Sequence, residues 1–184
     1  ANGPWQATQA LDAELRLQAD APRPLVLRSR VRVHLGTAEV MARVHTREPV
    51  RPGERGLVRL ALETPVVARA GDRLVVRSFS PVATIGGARV VDPLPPRRAL
   101  WPAGLTSEAA AERFGALLER RPGGIGVADL PVLLGIPPAD ASAAARELPA
   151  ARLVGDRWVL ARALERLGAR ALAAVKRFPR TSPA

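Results

Sequence analysis

The chain has 184 residues, a formal charge of +11 at pH 7, 47% apolar residues and no cysteine. The length favours one or two domains, and the apolar fraction is sufficient for a buried core in each. The lack of cysteine excludes disulfides, a thiolate nucleophile and cysteine-based metal sites. Every apolar run is too short for a membrane span, so we expect no membrane contact. The positive charge favours a polyanionic partner such as nucleic acid, although 27 of the 28 basic residues are arginine, which also fits the bias of a GC-rich genome.

Strand patterns fill the first half of the chain. Residues 10–19 alternate strictly, which predicts a half-buried strand with Leu11 and Ala13 inside and Asp12 outside. The next run, residues 25–35, also alternates and would carry a basic ladder on its outer face, made of Arg28, Arg30 and Arg32. Further strands are predicted over residues 38–46, 57–62, 65–69, 74–79 and 84–91. Many short strands without helical periods between them predict a closed barrel or a sandwich.

A stiff connector separates this half from a helical half. Pro95 and Pro96 fix the backbone of residues 94–98, so we predict a domain boundary after residue 98. Helices are then predicted from a cap at residues 106–108 to about Arg120, over 128–134 and over 138–148, followed by a hairpin with Gly155 and Asp156 in its turn. Three helices and a hairpin describe a winged helix. The predicted domains are therefore residues 1–98, residues 99–160, and a truncated second winged helix in residues 161–184 that begins with a helix to about Phe178.

No catalytic or metal site is predicted in this chain. His34 and His45, the two histidines, each lie in a strand pattern beside arginine, without a third metal ligand at short spacing. Ser78 is not part of a G-x-S-x-G motif, and Glu39 and Asp92 are isolated carboxylates. The sequence contains no G-x-x-x-x-G-K-[ST] loop, which is the motif that holds nucleotide phosphates in GTPases.

Three short segments carry a family resemblance: His34-Leu35-Gly36-Thr37-Ala38-Glu39-Val40, Arg77-Ser78-Phe79-Ser80-Pro81, and Thr84-Ile85-Gly86-Gly87 followed by Asp92-Pro93. Together they resemble the third domain of EF-Tu-type translation elongation factors, most of all that of the selenocysteine-specific elongation factors, over about residues 10–98. The resemblance implies a multidomain β plus α/β protein. Its parts would be a six-stranded or similar EF-Tu domain III-like β-barrel, a winged-helix domain and the first helix of a second one. This chain departs from the family pattern at Phe79, where tyrosine is common, and at Ala88, where a third glycine often occurs.

The resemblance also implies an RNA-binding site. In the family, the loop before the last barrel strand contacts the T-stem of the tRNA, and it corresponds here to Arg77, Ser78, Phe79 and Ser80. A second T-stem contact corresponds to Gly36 and Thr37. Two structural interpretations stay open: the pair of glycines at 86 and 87 is typical of a bulge or close backbone approach, and the arginine ladder is typical of a solvated strand face.

As part of this family the chain would be an interior fragment of a cytoplasmic, monomeric factor that delivers selenocysteyl-tRNA to the ribosome. It would bind no cofactor itself, because GTP and Mg are expected in a missing N-terminal domain that is the GTPase. Its winged helix would link the barrel to missing C-terminal modules that bind the selenoprotein mRNA hairpin.

Two other hypotheses belong to different classes. The chain could be a winged-helix nucleic-acid-binding regulator with a β-barrel effector domain, but residues 140–147 of its recognition helix offer Arg146 alone between Asp140 and Glu147. An enzyme with an unfamiliar barrel site would depend on His34 or Ser78.

Overall fold

Six antiparallel strands close into a barrel in the order β1-β4-β3-β2-β5-β6. The computed structural model describes residues 5–98 and 101–177. Closure confirms the predicted six-stranded barrel. The strands are β1 (Ala7–Leu17), β2 (Arg30–Leu35), β3 (Ala38–His45), β4 (Arg55–Val67), β5 (Arg73–Ser78) and β6 (Thr84–Asp92).

Alternating apolar side chains fill the barrel interior. In β1 the four predicted inward residues are all fully buried, and they meet the inward residues of the other strands in one continuous core. Burying each leucine or valine in this way stabilises the fold by about 1.5–3 kcal/mol relative to an exposed side chain. The four residues of β1 are Leu11, Ala13, Leu15 and Leu17.

Two strand predictions were wrong in their limits. Leu25 is buried and forms an isolated bridge with Val50, but the chain turns between it and β2. Leu27 is exposed and Arg28 has a φ of 69°, so only Arg30 and Arg32 form the outer ladder on the strand. The strands predicted over 57–62 and 65–69 are the single strand β4. β4 runs through Pro65 because its pairing with β1 is irregular between Thr8 and Ala10, where a residue without a backbone N–H is tolerated.

Between residues 101 and 177 the structure contains four helices and a small sheet. The helices are α1 (Ala110–Glu119), α2 (Leu130–Leu134), α3 (Pro138–Glu147) and α4 (Ala161–Arg177), with a 3-10 turn at Val127–Asp129. The sheet has the order β7-β9-β8, in which β7 (Ile125–Gly126) was missed by the sequence patterns and β8 (Ala151–Val154) and β9 (Arg157–Leu160) form the predicted hairpin. No helix within the described ranges is long and apolar enough to cross a bilayer.

The winged-helix interpretation and the domain limits remain predictions. Residues 99, 100 and 178–184 lie outside the described residues, and they include Phe178, where the last helix was expected to end. α4 has no buried side chain between residues 161 and 176. Its apolar residues Leu167, Leu172 and Val175 are 55%, 65% and 71% exposed, so this face has no partner among the described residues.

The helical half packs against the outer surface of the barrel. A second apolar cluster, centred on Phe114, continues onto barrel residues Val91 and Leu57. The backbones of the two halves also meet directly at the turn between β4 and β5, where the Ala70 N–H donates to the Val132 carbonyl at 2.9 Å. A Cβ on Gly135, which ends α2 with a φ of 71°, would lie 1.9 Å from the Ala70 carbonyl oxygen, so only glycine fits there.

Asp12 is a buried charge on the outer face of the barrel, although its alternation with Leu11 and Ala13 predicted exposure to solvent. Its side chain is fully buried. The carboxylate accepts a hydrogen bond from Arg59 Nε at 2.7 Å, another from Arg120, and a third from the Trp101 indole at 3.1 Å. Asp12 therefore joins the barrel, the segment after the connector and the end of α1.

Asp92 makes a matching connection. Its carboxylate is fully buried and lies 3.0 Å from Arg120 Nη1 and 2.8 Å from Arg121 Nη2. Arg59 also donates to the carbonyls of Pro96 and Arg97, at 2.9 and 3.0 Å, and thereby holds the proline connector against the barrel. We call the set Asp12, Arg59, Asp92, Arg120 and Arg121 the interdomain ion cluster.

Gly86 and Gly87 are adjacent in β6 but have different roles. A Cβ on Gly86 would lie 2.5 Å from the Arg16 carbonyl oxygen, whereas a Cβ on Gly87 meets only the Leu74 carbonyl at 3.5 Å. The β5–β6 register also shifts between Val76 and Arg77. The close-approach interpretation is therefore confirmed for Gly86, while packing does not require glycine at position 87.

Replacing Arg120 with methionine should strongly destabilise the protein. The substitution leaves two buried carboxylates with fewer partners, and breaking a buried ion pair costs about 3–5 kcal/mol. The exposed pair of Arg162 and Glu119 provides the control, since Arg162→Met should cost less than about 1 kcal/mol. Urea unfolding measures both, and equal small losses would contradict the structural role given to the interdomain ion cluster.

Alanine at the two adjacent glycines should have opposite effects. Gly86→Ala should lower the free energy of unfolding by about 1–3 kcal/mol, because the backbone of β1 must move away from the new methyl group. Gly87→Ala should be neutral or stabilising by about 0.4–1 kcal/mol. Thermal unfolding followed by circular dichroism decides between these outcomes, and a large loss in Gly87→Ala would disprove the assignment.

Candidate nucleic-acid interface

An exposed aromatic ring and three arginines meet where β5 ends. Phe79 lies in the loop between β5 and β6 and is 40% exposed. The guanidinium carbon of Arg30 is 4.5 Å from the ring centroid and that of Arg32 is 5.9 Å away. Arg77 is the cross-strand partner of Arg32. We call Arg30, Arg32, Arg77, Ser78 and Phe79 the Phe79 cluster.

The Ser78 side chain shapes the loop that carries Phe79. Its hydroxyl donates to the Pro81 carbonyl and accepts a hydrogen bond from the Ala83 N–H at 3.1 Å, and the Ser78 N–H donates to the Ala83 carbonyl at 2.8 Å. Ser78 also pairs with Val31 across the β2–β5 ladder. The loop is thus held beside the start of β2, which places the Phe79 ring within reach of the β2 arginines.

Two of the arginines in this cluster have acidic partners. Arg30 lies 3.1 Å from Glu63, and Arg32 donates to Glu39 at 2.7 Å. The hydrogen bond from Arg32 lowers the pKa of Glu39, desolvation opposes this effect, and the coulombic effects of His34, Arg32 and Arg77 lower the pKa further. Exposed ion pairs are weak and are screened by salt, so a phosphate can compete with these glutamates for the arginines.

The structure separates the two predicted RNA-binding loops. Arg77, Ser78, Phe79 and Ser80 lie together at one end of the β2–β5 ladder. Gly36, with a φ of 57°, and Thr37 form the exposed turn between β2 and β3 at the other end. The five residue steps along β2 correspond to about 16 Å at about 3.3 Å per residue. The two loops are therefore parts of different surfaces, and contact of either with RNA remains a prediction.

The Gly36 turn borders a second basic surface. This surface is a groove of about 1020 Å³ whose arginines come from four strands of the barrel. Gly87, which has no side chain, lies in its floor beside Arg16. We call it the arginine groove and define it by Arg16, Arg55, Arg73, Arg89, Gly36 and Gly87.

The residues proposed for an enzyme do not form a catalytic site. His34 pairs with Val75 and Ser78 pairs with Val31, so the two side chains are three positions apart along the ladder. The Ser78 hydroxyl is already bonded within its own loop. In the described ranges, no group of three or more His, Cys, Asp or Glu residues is arranged to hold a metal ion.

Comparison with known proteins identifies the barrel. A family model of the beta-barrel domain of the selenocysteine-specific elongation factor, SelB, matches residues 12–97. Residues 12–97 belong to the SelB beta-barrel family. The selenocysteine-specific elongation factor of Desulfomicrobium baculatum is 35% identical to this chain over 85 residues, which are 45% of this chain and 13% of that protein.

A solved structure extends the likeness beyond the SelB barrel. A crystal structure of a bacterial selenocysteine-specific elongation factor, EF-Sec, superimposes with a TM-score of 0.64 over 93% of this chain and 27% of that one, at 18% identity. At this identity the likeness shows the fold alone. The chain thus carries a SelB barrel followed by helices in an EF-Sec-like arrangement, and it spans a minor part of either relative.

Sequence patterns missed the arginine groove because its members are far apart in the chain. Arg16 and Arg55 become neighbours only through the β1–β4 register, and Arg73 and Arg89 only through the β5–β6 register. Gly87, next to Arg16 on β6, was the one visible signal, and its pairing with Gly86 indicated only a bulge or a close backbone approach. Alternation indicates which face a side chain occupies but does not indicate its neighbour on the next strand.

Removing Arg32 should raise the pKa of Glu39 in the SelB barrel. The Arg32→Gln variant deletes the hydrogen bond that favours the charged carboxylate, so the pKa moves back towards the ordinary glutamate value. In the unchanged protein, any stability that Glu39 contributes is present above its unfolded pKa and is lost as the pH falls through the lowered folded pKa. Carbon-detected NMR titration of the side-chain carboxyl measures the shift.

Arg30→Gln is the matched control for this titration. Arg30 pairs with Glu63, so the control should leave the pKa of Glu39 where it is. An equal rise in both variants would show that general charge, and not the hydrogen bond from Arg32, sets the pKa.

Proposed function

We propose that this chain is the tRNA-holding and connecting portion of a selenocysteine-specific elongation factor, and that its barrel contacts the T-arm of selenocysteyl-tRNA. The match of residues 12–97 to the SelB barrel family is the observation that carries the proposal. The Phe79 cluster supports it, because an exposed ring and three arginines form a surface suited to RNA.

The proposed contact recognises the shape of an A-form helix without reading its bases. Such a helix presents phosphates and 2′-hydroxyls across a wide minor groove, so arginine side chains and exposed backbone groups can hold it. Arg77 supplies a charge to a phosphate. Phe79 orients the guanidinium groups of Arg30 and Arg32 by stacking against them, an interaction worth about 0.5–1 kcal/mol at exposed sites. The fragment performs no chemical step in this proposal.

The helical half would serve as a winged helix that connects the barrel to further modules. In support, α1 packs against α3 on one side and against the three-stranded sheet on another, where the Phe114 ring meets the Trp158 ring edge to face at 6.0 Å. α4 would begin a second winged helix, which would cover its exposed apolar face. Because the interdomain ion cluster attaches α1 to the barrel, movement of the helical half would be transmitted to the tRNA-bound barrel.

The remaining activities would belong to other parts of the full protein. GTP and Mg would be bound, and GTP hydrolysed, by a domain that precedes the barrel, and the selenoprotein mRNA hairpin would be bound by modules that follow α4. The factor would act as a monomer in the cytoplasm and deliver its tRNA to the ribosome.

The regulator hypothesis has less support. α3 would be the recognition helix, but its inward residues are Ala141, Ala144 and Ala145, and its exposed face places Arg146 between the acidic Asp140 and Glu147. Reading base edges in a major groove requires Arg, Lys, Asn or Gln at several positions of that face.

A tRNA titration tests the proposed function. Fluorescence anisotropy at 50 mM salt should show tighter binding of selenocysteine tRNA than of an elongator tRNA. Phe79→Ala should weaken the former by about fivefold, as expected for a loss of about 1 kcal/mol. Arg77→Gln should reduce the salt dependence by about one phosphate contact.

Arg146→Gln is the control, since it removes an equal charge from exposed α3. Binding of neither tRNA would contradict the proposal. Specific binding of duplex DNA that survives physiological salt would favour the regulator instead.

A further inference from the structure

The arginine groove contains cations that the fold leaves uncompensated. Arg16, Arg55 and Arg73 are exposed, and none of them forms an ion pair with another residue in the ranges 5–98 and 101–177. Arg89 differs, because it lies 3.4 Å from Glu14 and 3.3 Å from Glu108. The groove has two acidic side chains, Glu14, which pairs with Arg89, and Asp20, which forms no ion pair with the three arginines in the part of the chain that the structure describes. Three guanidinium groups therefore stay without an ion-pair partner around the groove.

The register of the strands makes this arrangement unfavourable for folding. Arg16 and Arg55 are direct cross-strand partners, and so are Arg73 and Arg89. Like charges directly opposite each other destabilise a sheet. Glu14 and Glu108 offset the Arg73–Arg89 pair within the fold, whereas the Arg16–Arg55 pair has no acidic partner among the described residues. An anionic ligand would compensate this second pair.

Packing does not explain why position 87, in the floor of the groove, is a glycine. A side chain at Gly87 would meet only the Leu74 carbonyl at ordinary contact distance and would otherwise project into the groove. Gly86, in contrast, is required by the approach of the Arg16 backbone. Glycine at position 87 thus keeps the space between the arginines accessible.

The chemistry of the lining indicates which part of a nucleic acid would bind. The described residues that line the groove include no Phe, Tyr or Trp, and their one aromatic ring is the imidazole of half-buried His34, so the groove is a poor stacking platform for unpaired bases. Arginines around a glycine floor match phosphate oxygens, and these contacts carry no sequence information. The Phe79 cluster, with its exposed ring, has a different character and lies at the other end of the β2–β5 ladder.

We propose that the arginine groove binds the phosphate backbone of an RNA strand, independently of its sequence, as a second RNA contact of the barrel. The proposal rests on the proposed function in one respect, which is that the polyanion is RNA. It assigns Arg16, Arg55 and Arg73 as the phosphate-binding residues and Gly87 as the residue that keeps the floor open.

The test is a salt titration with a generic RNA duplex. The whole chain and its Arg16→Gln, Arg55→Gln, Arg73→Gln triple variant are titrated into a labelled mixed-sequence RNA hairpin between 50 and 200 mM salt. Each phosphate contact contributes about 0.7–0.9 to the slope of log K against log salt. The triple variant should therefore lose about two to three units of slope and at least about tenfold in affinity at 50 mM salt.

Two further variants separate the site from net charge and from misfolding. The Arg98→Gln, Arg146→Gln, Arg170→Gln variant removes the same charge from exposed positions outside the groove and should change the slope by less than about one unit. Gly87→Leu should fill the floor and weaken binding without changing net charge. Circular dichroism should show that both variants retain the fold.

The outcomes distinguish this proposal from the proposed function. Equal losses of slope and affinity in the two triple variants would overturn the proposal that the groove binds RNA. The same would follow if the unchanged chain did not bind the hairpin at 50 mM salt. An unaffected groove variant together with a weakened Phe79→Ala variant on selenocysteine tRNA would also overturn it, while leaving the proposed function in place. Loss of hairpin binding in the groove variant, without any preference of the unchanged chain for selenocysteine tRNA, would support the groove and count against the proposed function.

Discussion

Two aspartates on the outside of the barrel can be buried only because arginines of the helical half reach them. Asp12 and Asp92 are fully buried, and Arg120 lies between them. An unpaired buried carboxylate is strongly unfavourable, so the helical half can cover the barrel surface around β1 and β6 only because it brings Arg120 and Arg121 to these carboxylates. Arg59 extends the interdomain ion cluster to the proline connector. The interdomain ion cluster therefore fastens the end of α1 and the proline connector to the barrel.

This docking also shapes the basic surface. Along β1 the outward side chains pass from buried Asp12, through Glu14, to exposed Arg16 in the arginine groove. Arg89 lies at the border, because it pairs with Glu14 of the barrel and also contacts Glu108 and the Thr106 carbonyl of the helical half. The helical cover ends where the groove begins. The same interface that compensates the aspartates thus leaves the neighbouring arginines open to a ligand.

The barrel presents two basic surfaces with different physical characters. In the Phe79 cluster an aromatic ring orders two arginines that already have glutamate partners, so binding there exchanges one anion for another. In the arginine groove three guanidinium groups have no such partner among the described residues. A ligand at the groove gains the full attraction of those charges, and its binding depends more steeply on salt. An RNA that touches both would combine orientation at one end with charge neutralisation at the other.

The sequence by itself determined the local structure and the family resemblance. Alternating side chains placed Leu11, Ala13, Leu15 and Leu17 inside the barrel, and glycine and proline marked the ends of helices. The motif around Phe79 resembled a SelB barrel, and the family model covers it. Each of these signals arises between near neighbours in the chain, so it can be detected without the fold. Only the tertiary structure decided that Asp12 is buried and that Arg16 faces Arg55. A period of two separates the inner from the outer face, but the outer face becomes interior only where another element covers it. Pairing across the sheet depends on a register that distant residues set together.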